Sequence, residues 1–137
     1  MLEMDPYRRS TNTISRLFRE WNTHDGIIIG VDFDDTVYDC HDKGFEFGVL
    51  IKAIKEAQKM GCTICVWTAN SDTQKVRDHF KKIDITIDYY NESPIKLEKM
   101  NTQKPYFNLL LDDRAGLESA YIALRGVIEL RQKYYET

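Results

Sequence analysis

The stretch Gly30-Val31-Asp32-Phe33-Asp34-Asp35-Thr36 decides how this chain is read. It closes an aliphatic run, Ile27-Ile28-Ile29, and then sets two carboxylates two residues apart. Side chains of an extended strand alternate faces, so Asp32 and Asp34 point the same way, about 6–7 Å apart, while Phe33 points into apolar packing. Like charges at the end of a buried strand repel. At an effective dielectric near 20, unit charges about 4 Å apart cost about 4 kcal/mol. A chain tolerates that cost where a cation sits between the carboxylates, or where one of them stays protonated for chemistry. An aliphatic strand running into Asp-x-Asp-x-Thr is therefore where a reaction is expected.

Outward from this stretch the pattern alternates between strand and helix periods. Upstream, Ile14, Leu17, Phe18 and Trp21 form one helical stripe, which Gly26 ends after Thr23-His24-Asp25. Residues 1–25 thus read as a helical extension packed on the rest of a single domain. Downstream, Val37 to Gly44 is polar and reads as a short flap. Phe47, Leu50, Ile51, Ile54 and Ala57 mark a second helix, closed by Lys59-Met60-Gly61, and Thr63 to Trp67 is the next strand. Ser71-Asp72 opens a third helix, carried by Val76, His79, Phe80 and Ile83. Thr86 to Tyr90 reads as a short strand, and Asn91 to Lys104 as loop with room for one short helix. Phe107 to Leu111 is an apolar strand running into Asp112-Asp113, and Leu117, Tyr121, Leu124 and Ile128 mark a final long helix. Strands separated by such helices predict an α/β fold of Rossmann-like, three-layer type, with a mainly parallel central sheet and helices on both faces. Ligands bind such sheets beyond the carboxyl ends of the strands. Asp32 and Asp34, Thr68, and Asp112 and Asp113 all stand at such ends.

Composition narrows the function classes. The 137 residues are 42% hydrophobic and 30% charged, an ordinary balance for one globular domain. A formal net charge of −3 gives no electrostatic reason to expect a nucleic-acid backbone as partner. No apolar run is long enough to span a bilayer, and Met1-Leu2-Glu3-Met4-Asp5 lacks the features of a secretion signal, so a cytoplasmic location is the expectation. The 3 cysteines, Cys40, Cys62 and Cys65, are too few and odd in number for a disulfide scaffold. Cys62 and Cys65 have C-x-x-C spacing, but residues three apart on a strand face opposite ways, so they read as buried structural thiols.

The acidic groups suit phosphoryl transfer. A dianionic phosphate approaches a carboxylate more readily beside a divalent cation, and Mg²⁺ is held by one or two carboxylates with water and phosphate. Asp32, the backbone carbonyl of Asp34, and Asp112 or Asp113 are the candidate ligands. One carboxylate can attack phosphorus, and a second can protonate the leaving oxygen and later deprotonate water.

The chain resembles the haloacid dehalogenase superfamily in its phosphohydrolase branch, over roughly residues 27 to 117. The resemblance rests on Asp32-Phe33-Asp34-Asp35-Thr36, on Thr68 after Ile64-Cys65-Val66-Trp67, on Lys104 in Gln103-Lys104-Pro105-Tyr106, and on Asp112-Asp113 after Asn108-Leu109-Leu110-Leu111. Trp67-Thr68-Ala69-Asn70, Asn91-Glu92-Ser93-Pro94 and Asp112-Asp113-Arg114-Ala115 suggest a small bacterial or phage subgroup. The resemblance implies a capless phosphatase in which Asp32 is nucleophile and Mg²⁺ ligand and Asp34 is general acid, then base. It further implies that Thr68 and Lys104 hold the phosphate and that Asp112 and Asp113 complete the metal shell, directly or through water. Lys96 and Lys99 are alternatives to Lys104. Asp35 departs from the pattern, because many members carry glycine there. A further departure is the cap domain usual in the family, for which 37–44 leaves room only for a flap.

Other readings of these residues are plainer. Thr68 can serve as a strand-end hydroxyl, Asp113 as a helix cap, and Asp39 and His41 as solvated flap residues. His79 reads as packing, and Lys75, Arg77, Lys81 and Lys82 as an exposed helix face. At the level of the whole chain, a phospho-accepting signalling module and a catalytically silent binding module on the same fold are the alternatives to a phosphatase. A receiver-type module would carry its acidic pair after the first strand, whereas here the pair comes last. The expected partner is a small-molecule phosphate ester, with nucleotides and sugar phosphates both open and phosphorylated ends of larger molecules not set aside. A homo-oligomer through the first helical stripe also stays open.

Overall fold

A computed structural model describes residues 5–95 and 102–135. Among them, four strands form an all-parallel sheet: β1 (Ile28–Val31), β2 (Thr63–Val66), β3 (Tyr89–Tyr90) and β4 (Leu109–Leu111), in the order β3-β2-β1-β4. Four α-helices accompany it: α1 (Ser10–His24), α2 (Gly48–Lys59), α3 (Thr73–Lys82) and α4 (Leu117–Tyr135). The architecture is α/β and compatible with a Rossmann-like sandwich. A 3₁₀ turn over Pro6–Arg8 precedes α1. No described helix is long and apolar enough to cross a membrane.

The helices begin and end where their sequence says. In α1 the apolar stripe buries Leu17 and Trp21 completely, and the helix stops at Asp25, which adopts a left-handed conformation at φ 56°. Gly26 follows, and its N–H joins that of Asp25 on the Trp21 carbonyl, closing the helix end. The Asp72 carboxylate caps α3 by accepting the Lys75 N–H at 3.1 Å. The basic residues Lys75, Arg77, Lys81 and Lys82 are exposed, as their spacing predicts.

The core gathers against one face of the sheet. Ile29 and Val31, Ile64 and Val66, and Leu109 and Leu111 alternate onto that face and join a single buried cluster. All four helices feed it, with Trp21 from α1, Ile54 from α2, Phe80 from α3 and Leu124 from α4. Gly30 and Cys65 face the other way. There the Phe107 ring leaves no space for a Cβ on Gly30, and the Cys65 thiol reaches the Glu92 carbonyl at 3.2 Å. Among the described residues, that second face is covered by the β3–β4 connection, where the sequence predicted helices on both faces. The short helix allowed within that connection falls partly on 96–101, outside the described residues.

Two of the expected strands are shorter than their apolar runs, for a physical reason. Asn108 is buried, and its side-chain carbonyl takes the Ile28 N–H at 2.6 Å, so a side chain stands in the ladder where β4 would otherwise extend. Its amide donates to Glu20 at 2.9 Å and its backbone carbonyl accepts from Arg16 at 3.1 Å, which ties α1 to the sheet edge. Likewise Asp88 accepts the Ile64 N–H through its carboxylate, and Gln58 bonds both backbone groups of Thr86, leaving only Tyr89–Tyr90 as strand.

Strand order places the site. From β1 the chain moves to β2 and β3 on one side, and β4 returns to the other side of β1. The order therefore reverses between β1 and β4, and the crevice beyond the carboxyl ends of these two strands is where a parallel sheet opens a binding site.

Candidate active site

The backbone carries β1 and β4 one step past their ends. The Asp32 N–H donates to the Leu111 carbonyl at 2.9 Å, which brings Asp32 level with Asp112. Carboxylate oxygens of Asp32, Asp112 and Asp113 all lie within 4.8 Å of one another. Asp32 and Asp34 face the same cleft, as alternation requires, while Phe33 between them is fully buried and stacks on Tyr38 with ring centroids 4.6 Å apart. The cleft is about 910 Å³ and is lined by acidic side chains from both strand ends, by Trp67, Thr68 and Asn91, and by Cys40, His41 and Arg114.

Burial dominates the electrostatics of Asp32. Loss of solvent pushes its carboxyl up from 3.8 to about 6, the Phe33 N–H opposes this, and the negative charges of Asp112 and Asp113 push it further up. A carboxylate so placed gains from a nearby cation, because a positive charge relieves both the burial and the repulsion. The donor set is all oxygen, which matches a hard divalent ion such as Mg²⁺.

Thr36 organises this cluster. It is fully buried, accepts the Asp113 N–H at 3.1 Å, and sits 3.3 Å from Asp32 Oδ2 and 3.4 Å from Asp113 Oδ1. Asp113 therefore turns toward Asp32 and is not a helix cap. Asp112 is held differently: its Oδ1 accepts the Arg114 N–H at 2.9 Å, leaving the other oxygen unengaged by that bond.

Asp34 and Thr68 line the same cleft. The Asn70 amide donates to both Asp34 oxygens, at 3.3 and 3.4 Å. The Thr68 hydroxyl accepts the Asn70 N–H at 3.1 Å, which leaves its own hydrogen to donate. Asn91 fixes the Thr68 backbone on both sides, accepting its N–H at 2.8 Å and donating to its carbonyl at 2.9 Å. Asn91 holds φ at 51°, a left-handed conformation that asparagine tolerates better than most residues.

The structure thus brings Asp32, Asp34, Thr68, Asp112 and Asp113 to one cleft. It does not bring Lys104 there: that residue is exposed, its N–H donates to the Thr102 hydroxyl at 3.1 Å, and it is not among the lining residues. Lys96 and Lys99 lie outside the described residues. Thr36, Asn70, Asn91 and Arg114 also serve the cleft, and the motifs around Asp32, Thr68, Glu92 and Asp112 that contain them are the signal in the sequence that points to them. His41 is solvated, as a flap residue is expected to be, with its side chain 62% exposed, and it also lines the cleft. Asp39 does serve the flap itself, its carboxylate accepting the N–H groups of Lys43, Gly44 and Phe45. His79 packs as expected, edge-on to Phe33 and Tyr38, with Nε2 2.7 Å from the Val37 carbonyl.

Asp35 occupies a left-handed position at φ 57°. Its N–H donates to the Tyr38 carbonyl at 2.8 Å, closing a tight turn after Asp34. A glycine would adopt this φ without strain, and aspartate is among the residues that bear it best. Its carboxyl is held below the usual range, chiefly by the Cys40 hydrogen bond and then by His41. Cys62 and Cys65 are free and buried, with thiols pushed up by burial to about 12 and about 11, as befits structural cysteines.

Comparison of the chain with protein-family models, with curated proteins and with solved structures finds no match to any of them.

Proposed function

We propose that this protein is a magnesium-dependent phosphatase of the haloacid dehalogenase type without a cap domain, acting on a phosphate monoester of a small metabolite or nucleotide. The observation that carries this reading is the convergence of Asp32, Asp112 and Asp113 within 4.8 Å at the ends of adjacent parallel strands, with Asp34 and Thr68 lining the same cleft. Asp32, Asp112 and Asp113, with the Asp34 backbone carbonyl, would hold Mg²⁺. The ion, when bound, offsets the negative charge of phosphate and carboxylates alike.

The chain's own groups divide the remaining work. An Asp32 oxygen attacks phosphorus, and the bond from phosphorus to the ester oxygen breaks. Asp34 gives its proton to the departing oxygen, then takes one from the water that attacks the aspartyl-phosphate, and inorganic phosphate leaves with Asp32 restored. The Asn70 amide orients Asp34 for both steps. The free hydrogen of the Thr68 hydroxyl donates to a phosphate oxygen. Arg114 is a described cation on the cleft wall and favours an anionic substrate; Lys104 would serve as phosphate ligand only after movement of its exposed segment toward the cleft.

Hydrolysis of p-nitrophenyl phosphate with and without Mg²⁺ tests the proposal. Turnover should require the ion and disappear in Asp32→Asn, and Asp34→Asn should accumulate phosphorylated protein visible by mass spectrometry. Full activity of Asp32→Asn would overturn it. Stable phosphorylation of the unaltered chain without turnover would favour the phospho-accepting module instead.

A further inference from the structure

A second cluster of side chains of the metal-ligating type, Asp35, Cys40 and His41, lies on the flap side of the cleft. Cys40 Sγ is 3.2 Å from Asp35 Oδ1 and 3.2 Å from His41 Nδ1, and that same nitrogen is 3.1 Å from Asp35 Oδ2. The three donors, one sulfur, one nitrogen and one oxygen, form a closed triangle within 4.8 Å. Tetrahedral zinc with ordinary bond lengths would separate such donors by about 3.4–3.6 Å. The triangle needs to open by only a few tenths of an ångström to receive the ion.

The arrangement fits a metal better than it fits a catalytic relay. A relay of thiol, imidazole and carboxylate engages the two ring nitrogens with different partners. Here a single nitrogen, Nδ1, faces both the sulfur and the carboxylate. The Cys40 thiol already donates to Asp35, so sulfur, nitrogen and carboxylate converge on one point from which a cation would displace the thiol proton and take all three as ligands. The backbone holds the donors in place. Both the Asp35 and the Cys40 N–H donate to the Tyr38 carbonyl, at 2.8 and 3.0 Å, and Tyr38 is itself anchored on the buried Phe33. The His41 side chain is 62% exposed and that of Asp35 36%, so an ion has access from solvent.

We propose that Asp35, Cys40 and His41 form a binding site for a borderline-soft divalent ion, Zn²⁺ in preference to Mg²⁺, with the fourth position open toward the cleft. Thiolate and imidazole select against magnesium, which favours oxygen ligands, and the all-oxygen cluster at Asp32 shows the converse preference. Three protein ligands with an open position would let the ion take a water or an anionic group of a cleft occupant. Binding displaces the Cys40 thiol proton to solvent, because the thiolate is the ligand. The site does not depend on the phosphatase reading.

Cobalt(II) in place of zinc supplies the test, since a thiolate ligand gives an intense charge-transfer absorption that oxygen ligands do not. The intact chain should develop that band stoichiometrically, and Zn²⁺ should erase it. Cys40→Ser should abolish the band, and either Cys40→Ser or His41→Ala should weaken zinc binding, measured against a competing chelator, by more than about 100-fold, beyond what loss of an outlying partner costs. Asp32→Asn should retain both band and affinity, which separates this site from the magnesium cluster. Circular dichroism of each variant checks that it is folded. Absence of the band in the intact chain, or zinc affinity unchanged by both substitutions, would overturn the proposal.

Discussion

The backbone N–H of Asp113 donates to the Thr36 hydroxyl at 3.1 Å, across 77 residues of chain. This single bond fixes the end of β4 against the turn that follows β1, and so sets the spacing of the carboxylates between them. Thr36 is fully buried and has no route to substrate. Its part is positional, holding Asp113 toward Asp32.

Thr36→Val tests that role, because it keeps the shape and removes the hydroxyl. The Asp113 N–H then lacks its partner, at a cost of about 1–3 kcal/mol. Magnesium affinity should fall by about 10–100-fold, the usual effect of losing a group that orients a metal ligand. Urea denaturation and calorimetric titration read the two effects. An unchanged affinity would show that Thr36 only packs.

Asp32 makes stability depend on pH in a definite direction. Its carboxyl titrates at about 6 in the folded chain against 3.8 ordinarily, chiefly through burial. Between those values the folded chain holds a proton that the unfolded chain has lost, so raising the pH through this window lowers stability. The contribution is full below the unfolded value and gone above about pH 6. In chelator, Asp32→Asn should therefore gain on the unaltered protein in melting temperature as pH rises from about 4 to about 7. A constant difference across that range would contradict the assignment.

Magnesium should stabilise the same protein above that window. An ion bound only by the folded state adds about 2.7 kcal/mol at a concentration 100 times its Kd. Melting temperature should rise with Mg²⁺ in the unaltered chain and stay flat in Asp32→Asn. Equal melting temperatures in chelator and in excess ion would count against a metal site at these carboxylates.

The thiols should divide sharply in reactivity. All 3 thiols are pushed up, Cys62 and Cys65 by burial to about 12 and about 11 and Cys40 by partial burial and the neighbouring Asp35, but Cys40 alone is exposed. Iodoacetamide under native conditions should label Cys40 alone, and all 3 cysteines should react in denaturant. Peptide mapping identifies the site. Fast native labelling of Cys65 would mean that the β3–β4 connection opens readily.

Gly30 should resist substitution. A Cβ there would lie 2.8 Å from the Phe107 ring, which in turn meets Trp67 edge-on at 5.7 Å. Gly30→Ala should cost about 1–3 kcal/mol through overpacking and shift the fluorescence of the cleft-lining Trp67. An alanine variant as stable as the original would show that Phe107 moves aside freely.

Much of this architecture was open to reading from local pattern. The stripe from Ile14 to Trp21, the run ending at Val31 and the cap at Asp72 each follow from the periods of helix and strand, which covalent geometry fixes over a few residues. Parallel pairing followed from the helices between the strands. Asp32, Asp34, Thr68, Asp112 and Asp113 were found because each stands at a strand end, where side-chain direction is set locally. The ends of β3 and β4 were not legible, since Asn108, Asp88 and Gln58 place side chains where the ladder would continue.

Sequence by itself determined the alternation along each strand and the apolar stripe of each helix, and hence which carboxylates share a face. Tertiary structure alone decided which distant groups meet: Asp113 with Thr36, Asn91 with Thr68, and Asn70 with Asp34, while Lys104 stays away from the cleft. The physical reason is range. Backbone stereochemistry dictates direction over two to four residues, but the meeting of groups tens of residues apart depends on strand order and on how the core closes around Phe33 and Val31.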